Sequence, residues 1–312
     1  MSGKLEKLTE LLSEGTVKFN EPMAAHTTFK IGGPADAYVQ TQSAEEILKV
    51  LNFATENEIP CYVCGNGSNM LVADDGVEGI VLSLKPSSSK PEQEILDDGS
   101  IKVKVFAGDM ISVFSRDMAK AGYAGTEPLA GIPGSVGGAV AMNAGAYGGE
   151  IKDIIYSADV IVKNEATGTY EQKTLLKDEL DLGYRKSEVL RCGMIVAYAT
   201  FVLKKGNAEE SLAMIADFNG RRRDKQPLDL PSAGSTFKRP EGYFAGKLIE
   251  DSGLRGYCVG NAGVSTKHCG FVVNNGGATA AEVKQVIDDV RQIVLNKFGV
   301  TLEPEVRLIG RF

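Results

Sequence analysis

Three polar residues, distant in the chain, could together serve an anionic substrate: Arg185 in LGYRKSEV, Ser235 in PSAGSTFKRP and Glu305 in LEPEVR. A guanidinium can clamp a carboxylate through two parallel hydrogen bonds, and a serine hydroxyl can supply a proton. Taken singly, each has a plainer reading: Arg185 as a surface ion pair, Ser235 as a turn residue, and Glu305 as a solvated charge at a strand end. A Ser-His-Asp hydrolase is the competing chemistry. No serine sits in a GxSxG elbow, and only His26 and His268 could act as bases, so that chemistry is disfavoured.

Two glycine-rich segments stand beside this polar set. GNGSNMLV, beginning at Gly65, leaves the short apolar run PCYVC. Its N–H groups and Ser68 could donate to phosphate oxygens. It lacks the GxGxxG spacing of a dinucleotide fingerprint and the lysine of a Walker sequence, and a tight hairpin turn is its plain alternative. PLAGIPGSVGGAVAMNAGAYGGE, from Pro128 to Glu150, is the denser segment, with seven glycines, and Gly125 stands just before it. Such a run buries little side-chain area, so packing alone is a poor reason for it. Backbone walling a flat or phosphate-bearing ligand is the better one, with a glycine-rich surface loop as the alternative. Together the two segments suggest one large cofactor held from two regions, and their spacing does not identify it.

The elements that must position these residues read as mixed α and β. Leu5, Leu8 and Leu12 fall at helical spacing before Gly15, and ADAYVQT reads as a strand. Ser43 and Glu46 form a capping box for a helix with Ile47, Val50 and Leu51 on its apolar stripe. Lys85–Gly99 reads as an exposed connector, IKVKVFAG as a strand, and Ile111–Ala121 as a helix ending at Gly122. SADVIVKNEATGTYEQKTL reads as a hairpin. Asn207 and Glu210 cap a helix running to Arg221–Arg223, and a loop-rich stretch follows to about Asn275. Thr279 and Glu282 cap a last helix ending near Gly299, before a terminal strand EVRLIG.

Composition sets the outer limits. The 312 residues suit two or three domains, and 43% hydrophobic with 24% charged residues is the balance of a globular chain. A net charge of −7 argues against nucleic-acid binding. No run reaches the ~20 apolar residues of a membrane span, and the N-terminus has no signal core, so the expected compartment is cytoplasmic with no membrane insertion. The five cysteines are odd in number and scattered. Cys61 and Cys64 form a CxxC without a second pair or a nearby histidine. They read as small hydrophobes of a strand, not as a metal site or a redox pair, and no metal is expected.

The chain also resembles a known family. HTTFKIGGPADAY, GNGSNMLVADDGVEGIVL, LAGIPGSVGGAVAMNAGAYGGEI, YRKSEV, PSAGSTFKRP, AGKLIEDSGLRG, VSTKHCGFVVNNG and LEPEVR occur in the order found in UDP-N-acetylenolpyruvoylglucosamine reductases (MurB), in their shorter class. The resemblance runs from about His26 to Gly310. It implies an α+β, three-domain flavoprotein whose FAD-binding fold is of the vanillyl-alcohol oxidase / p-cresol methylhydroxylase type, with a further substrate-binding domain. The expected divisions are 1–85 with 299–312 returning, 86–220, and 221–298. It also implies FAD, held without a covalent bond because neither histidine lies in the glycine-rich segments, and NADPH as co-substrate.

Residue by residue, the resemblance assigns Gly65, Asn66, Gly67, Ser68 and Asn69 to the FAD pyrophosphate loop. It assigns Gly131, Ser135, Gly137, Gly138, Asn143 and Gly145 to a second FAD wall. Ser235 becomes the proton donor, and Arg185 and Glu305 act on the enolpyruvyl carboxylate of UDP-N-acetylglucosamine enolpyruvate. Tyr184, Lys225 and Arg239 become substrate-binding candidates, Arg239 standing where the longer class places asparagine. The implied reaction yields UDP-N-acetylmuramate for peptidoglycan synthesis. Another flavin oxidoreductase of the same superfamily would account for both glycine segments but not for the polar set.

Overall fold

The computed structural model describes residues 2–312. Contacts group the chain into two compact units. The first is Met1–Lys18, Ala37–Asn66 and Ile80–Arg221; the second is Phe19–Asp36, Gly67–Gly79 and Arg222–Phe312. The expected 1–85 and 86–220 divisions thus fall largely in the first unit, and 299–312 falls in the second. The architecture is α+β.

The first unit is built on a six-stranded antiparallel sheet whose main path is Tyr170–Leu176, Ile155–Lys163, Ile195–Lys205, Ile101–Phe106 and Glu92–Ile95. Period-2 alternation sends Ile101, Val103 and Val105 inward, where they meet Phe114 and Met118 of the helix Ile111–Lys120 in one apolar core. The helix Ala44–Glu56 adds Ile47, Val50 and Leu51 to the same core. Ser43 Oγ accepts the Glu46 N–H at its start, while the Glu46 carboxylate reaches back to Gln42 N at 2.8 Å instead of to Ser43. The strand Cys61–Cys64 pairs in parallel with Ile80–Ser83.

The second unit has its own core. The helix Ala280–Phe298 lays Val283, Val286, Ile287, Val290 and Val294 against Leu248, Ile249, Val264 and Val272. Its start carries the expected reciprocal box of Thr279 and Glu282, and the Asp74 carboxylate accepts the Ala280 and Ala281 N–H groups at 2.8 and 3.0 Å. Gly299, at φ +69°, closes the helix in the left-handed conformation. The strands Cys258–Val259, Ala262–Val264 and Val272–Asn274 form a small antiparallel sheet inside the stretch expected to be loop-rich. Arg307–Ile309 pairs in parallel with Met70–Val72.

Two expectations are corrected along the chain. Lys85–Gly99 is not only a connector, because Glu92–Ile95 pairs there with Ile101–Lys104 as an exposed strand. The N-terminal helix is two short turns, Ser2–Leu5 and Leu8–Leu11, with Leu5 and Leu8 buried.

Candidate active site

The loop GNGSN connects strands of different pairings. Cys61–Cys64 pairs with Ile80–Ser83, whereas Met70–Val72 pairs with Arg307–Ile309, so the loop is a crossing connection and not a hairpin turn. Gly65 and Asn66 belong to the first unit; Gly67, Ser68 and Asn69 belong to the second.

In the first unit the two glycine-rich segments touch. A methyl group on Gly65 would lie 2.1 Å from Ser135 Oγ, and Asn66 Nδ2 donates to Pro133 O at 2.7 Å. Within the longer segment lies a short helix, Val136–Ala141, that the sequence did not announce. Ser135 Oγ accepts the Gly138 N–H at its start, at 3.3 Å. Packing also explains more of these glycines than their small side-chain area suggested. A Cβ on Gly137 would meet Ala107 Cβ at 2.8 Å, and one on Gly145 would meet Gly149 O at 2.6 Å. Gly131 lies just before this helix, in the turn after the short 3-10 segment Glu127–Leu129.

Arg185 follows in the same unit, on a tight turn closed by Gly183 and Lys186. The two residues exchange backbone hydrogen bonds of 3.0 and 3.1 Å. Arg185 stands third in this turn at φ +53°, a position that ordinarily takes glycine or asparagine. A long cationic side chain held in the left-handed region marks a place where the side chain outweighs backbone comfort. Tyr184 beside it is exposed, with the Arg185 guanidinium 5.2 Å from its ring centre.

Asn143, expected among the cofactor residues, is fully buried at φ +41°. Its carboxamide donates to Glu150 Oε2 at 2.9 Å and to Gly183 O at 3.0 Å, and accepts the Lys152 N–H at 2.9 Å. The Lys152 ammonium, 2.8 Å from Glu150, holds that carboxyl below its usual range, with Asn143 and the charge of Arg185 adding to the effect. Ser187 Oγ donates to Ala141 O at 2.6 Å from the far side of the turn. Glu150 and Ser187 carried no chemical signal in the sequence. Only the cap that Ser187 forms with the Leu190 N–H was there to be read.

In the second unit Ser235 and Glu305 come together. Residues 236–238 lie antiparallel to 303–305: Glu305 N donates to Thr236 O at 2.8 Å, Lys238 N to Glu303 O at 2.9 Å, and Phe237 bridges Pro304. Lys238 and Glu303 also form an ion pair across this ladder. Ser235 itself is exposed at the head of the ladder, while Thr236 is wholly buried. The Thr236 N–H donates to Gly270 O at 2.8 Å, and its hydroxyl accepts from Val272 N at 2.9 Å. Asn69 joins the same cluster, its Nδ2 donating to Glu305 O at 3.2 Å and its carbonyl accepting from Arg307 N at 3.0 Å. Gly67 fits the same rule as Gly65: at φ +63°, its Cβ would meet His26 O at 2.0 Å.

The remaining substrate candidates lie apart from that ladder in the chain. Lys225 is exposed at the end of the helix Ala208–Lys225, whose start Asn207 caps. Arg239 folds onto its own loop, donating to Tyr243 O at 3.2 Å and lying 3.9 Å from the Phe244 ring centre. Burial pushes the Cys61 thiol up to about 12 and the Cys64 thiol up to about 11, so both stay protonated near neutral pH on their strand. His268 also has a packing role: its Nδ1 accepts the Gly270 N–H at 3.1 Å, and its ring meets Phe271 edge-on at 5.0 Å.

Comparison with known proteins gives this geometry a family. A family model described as "FAD binding domain" matches residues 35–169, and one described as "UDP-N-acetylenolpyruvoylglucosamine reductase, C-terminal domain" matches residues 226–309. The UDP-N-acetylenolpyruvoylglucosamine reductase of Lachnoclostridium phytofermentans is 52% identical over 98% of this chain and 97% of its own. That of Agathobacter rectalis is 48% identical over 99% and 98%. The crystal structure of the Thermus caldophilus enzyme superposes with a TM-score of 0.75 at 33% identity, covering 93% of this chain and 97% of that one.

The residues fit FAD on structural grounds as well. Gly65 laid on Ser135 forms a cradle that any side chain would fill, and residues 65–69 and 131–145 contain no charged side chain. Backbone amides and small hydroxyls are what remains to meet a pyrophosphate and a flat ring. FAD is the cofactor, and a chain alike from end to end to these reductases, with both of their domain signatures in order, belongs to the UDP-N-acetylenolpyruvoylglucosamine reductase family.

Proposed function

We propose that Arg185, Ser235 and Glu305 are the side chains that act on the substrate. The chain reduces UDP-N-acetylglucosamine enolpyruvate to UDP-N-acetylmuramate for peptidoglycan synthesis, with NADPH as reductant. Bound FAD supplies the two-electron relay between NADPH and the enolpyruvyl double bond. The terminal vinyl carbon gains the reducing equivalent, and negative charge develops on the neighbouring carbon and its carboxylate.

Arg185 offers that carboxylate a fixed cationic fork, worth most where charge is greatest. Ser235 gives its hydroxyl proton to the neighbouring carbon from one face, which sets the lactyl stereocentre. Glu305 assists the carboxylate in its protonated form, because two bare carboxylates in contact repel. Tyr184, Lys225 and Arg239 bind other parts of the nucleotide sugar. FAD is held without a covalent bond by Gly65, Asn66, Gly67, Ser68 and Asn69 and by the Gly131–Gly145 segment, so denaturation releases it. We place the reaction in the cytoplasm on the family membership alone.

The observation that carries the reading is the ladder that brings exposed Ser235 near Glu305, whose N–H donates to the O of Thr236, the residue after Ser235. It is tested anaerobically with Ser235→Ala. NADPH should still bleach the flavin at the wild-type rate, and the enolpyruvyl sugar should no longer restore its colour. Equal loss of both half-reactions would remove Ser235 as proton donor.

A further inference from the structure

Arg185 is third in a turn whose backbone conformation disfavours it, so something outside the turn must hold it there. Within the turn itself, Gly183 and Lys186 exchange two backbone bonds and the Arg185 guanidinium lies over the Tyr184 ring. Two side-chain bonds fasten it from outside, one on each flank of Arg185. Asn143 Nδ2 donates to Gly183 O at 3.0 Å, and Ser187 Oγ donates to Ala141 O at 2.6 Å. Both anchors lie in residues 141–143, at the end of the helix Val136–Ala141 in the glycine-rich cofactor segment.

Asn143 suits this position on three counts. Asparagine tolerates a φ of +41° better than other residues with a side chain. Its two N–H donors are both used, one on Gly183 O and one on Glu150 Oε2, and its oxygen accepts from Lys152 N. It is wholly buried, so no water can replace a lost bond. Glu150, itself paired with Lys152, fixes which way the carboxamide faces: an anionic acceptor can take only the NH2 side, and the Lys152 N–H takes the oxygen side.

We propose that Asn143 is a positioning residue for the substrate carboxylate, acting by fastening the Arg185 turn to the cofactor segment. This rests on the reading of Arg185 as the carboxylate fork. Asn143 touches neither substrate nor reacting atoms in this role; it sets where the guanidinium stands.

The test uses the FAD-loaded enzyme and Asn143→Asp, which keeps size and tolerance of the left-handed backbone but replaces the donor with a second carboxylate oxygen. Calorimetric binding of UDP-N-acetylglucosamine enolpyruvate should weaken about 10- to 100-fold, the range for losing a buried hydrogen bond. Binding of UDP-N-acetylglucosamine, which lacks the carboxylate, should change less than about threefold. Where Asn143→Asp fails to retain FAD, Asn143→Gly carries the same test, because glycine adopts this backbone without strain.

Equal weakening of both sugars, or loss of FAD from both variants, would overturn the positioning role in favour of a structural one. Arg185→Lys separates the two readings. If it binds both sugars as the wild type does, the fork assignment falls. If it discriminates but Asn143→Asp does not, only the positioning role falls. In the double variant the effects should be far from multiplicative, since both act through one guanidinium. Full multiplicativity would also reject the idea.

Discussion

Arg185 and Ser235 sit on segments of opposite construction. The Arg185 turn is strained, with its third residue at φ +53°, and it is fastened by side chains: Asn143 on one flank and Ser187 on the other. Ser235 heads an unstrained ladder fastened mainly by backbone, through Thr236 to Gly270 and Glu305. A long guanidinium must be aimed, so its base needs a rigid mount that the backbone alone does not supply. A short hydroxyl has little reach to misdirect, and its strand only has to be in the right place. Substitutions of supporting residues should therefore harm Arg185 more than Ser235, whereas direct removal should harm Ser235 more.

The largest effect tests that contrast at its simpler end. Ser235→Ala should lower the rate of substrate-driven flavin reoxidation by about 10²–10⁴-fold, the usual worth of a placed proton donor. Thermal stability should be unchanged, because the exposed hydroxyl is replaced without a cavity. A loss below tenfold would show that another group delivers the proton. Arg185→Lys comes next. Lysine keeps the charge but not the fork, so kcat/KM should fall about 10²-fold, most of it in KM for the enolpyruvyl sugar. A loss in kcat with KM unchanged would mean that the guanidinium acts only in the transition state.

Glu305→Gln should cost less than about tenfold, under about 1.4 kcal/mol of barrier, because a carboxamide imitates the neutral acid assigned here. Its backbone N–H would still hold Thr236 O, so the ladder stays intact. Spectroscopic titration of Glu305 in the substrate complex offers the sharper measurement. An ordinary carboxylate pKa there would count against the protonated form.

Much of this construction was legible in the sequence, and the rest fails for physical reasons. Caps were readable because they are local: Thr279 with Glu282, Asn207, and Ser43 all stand where their helices begin. The hairpin Ile155–Leu176 was readable from its alternation. The helix Val136–Ala141 was not, since two of its six residues are glycines that disfavour a helix. Gly137 is there because Ala107 leaves no room for a Cβ. The strand Glu92–Ile95 is exposed on both faces and so carries no alternation. Ser235, Arg185 and Glu305 could be named through the family resemblance. The mount of Arg185 could not, because Asn143 and Gly183 are 40 residues apart and neither residue type signals the other.

The smallest effect probes the backbone ladder. His268 Nδ1 accepts the Gly270 N–H, and Gly270 O in turn accepts the Thr236 N–H, one residue from Ser235. Burial, aided by the charge of Arg255, holds the His268 imidazole below its ordinary value of 6.5. The folded chain therefore takes up this proton less readily than the unfolded chain. As pH falls through the unfolded value, the unfolded state gains protons first, and stability declines until the folded group titrates as well. Protonation would also end the bond from Gly270, since a charged ring has no acceptor. His268→Asn keeps an acceptor oxygen near the Nδ1 position and cannot titrate. Denaturant unfolding at steps from about pH 7 to about pH 5 should show the wild type losing stability relative to this variant. Turnover near neutral pH should be little changed, because a ladder held mainly by backbone tolerates the exchange. Parallel stability curves would remove His268 from the support of Ser235, and a large loss of turnover in His268→Asn at neutral pH would show that the serine, like the arginine, depends on a side-chain mount.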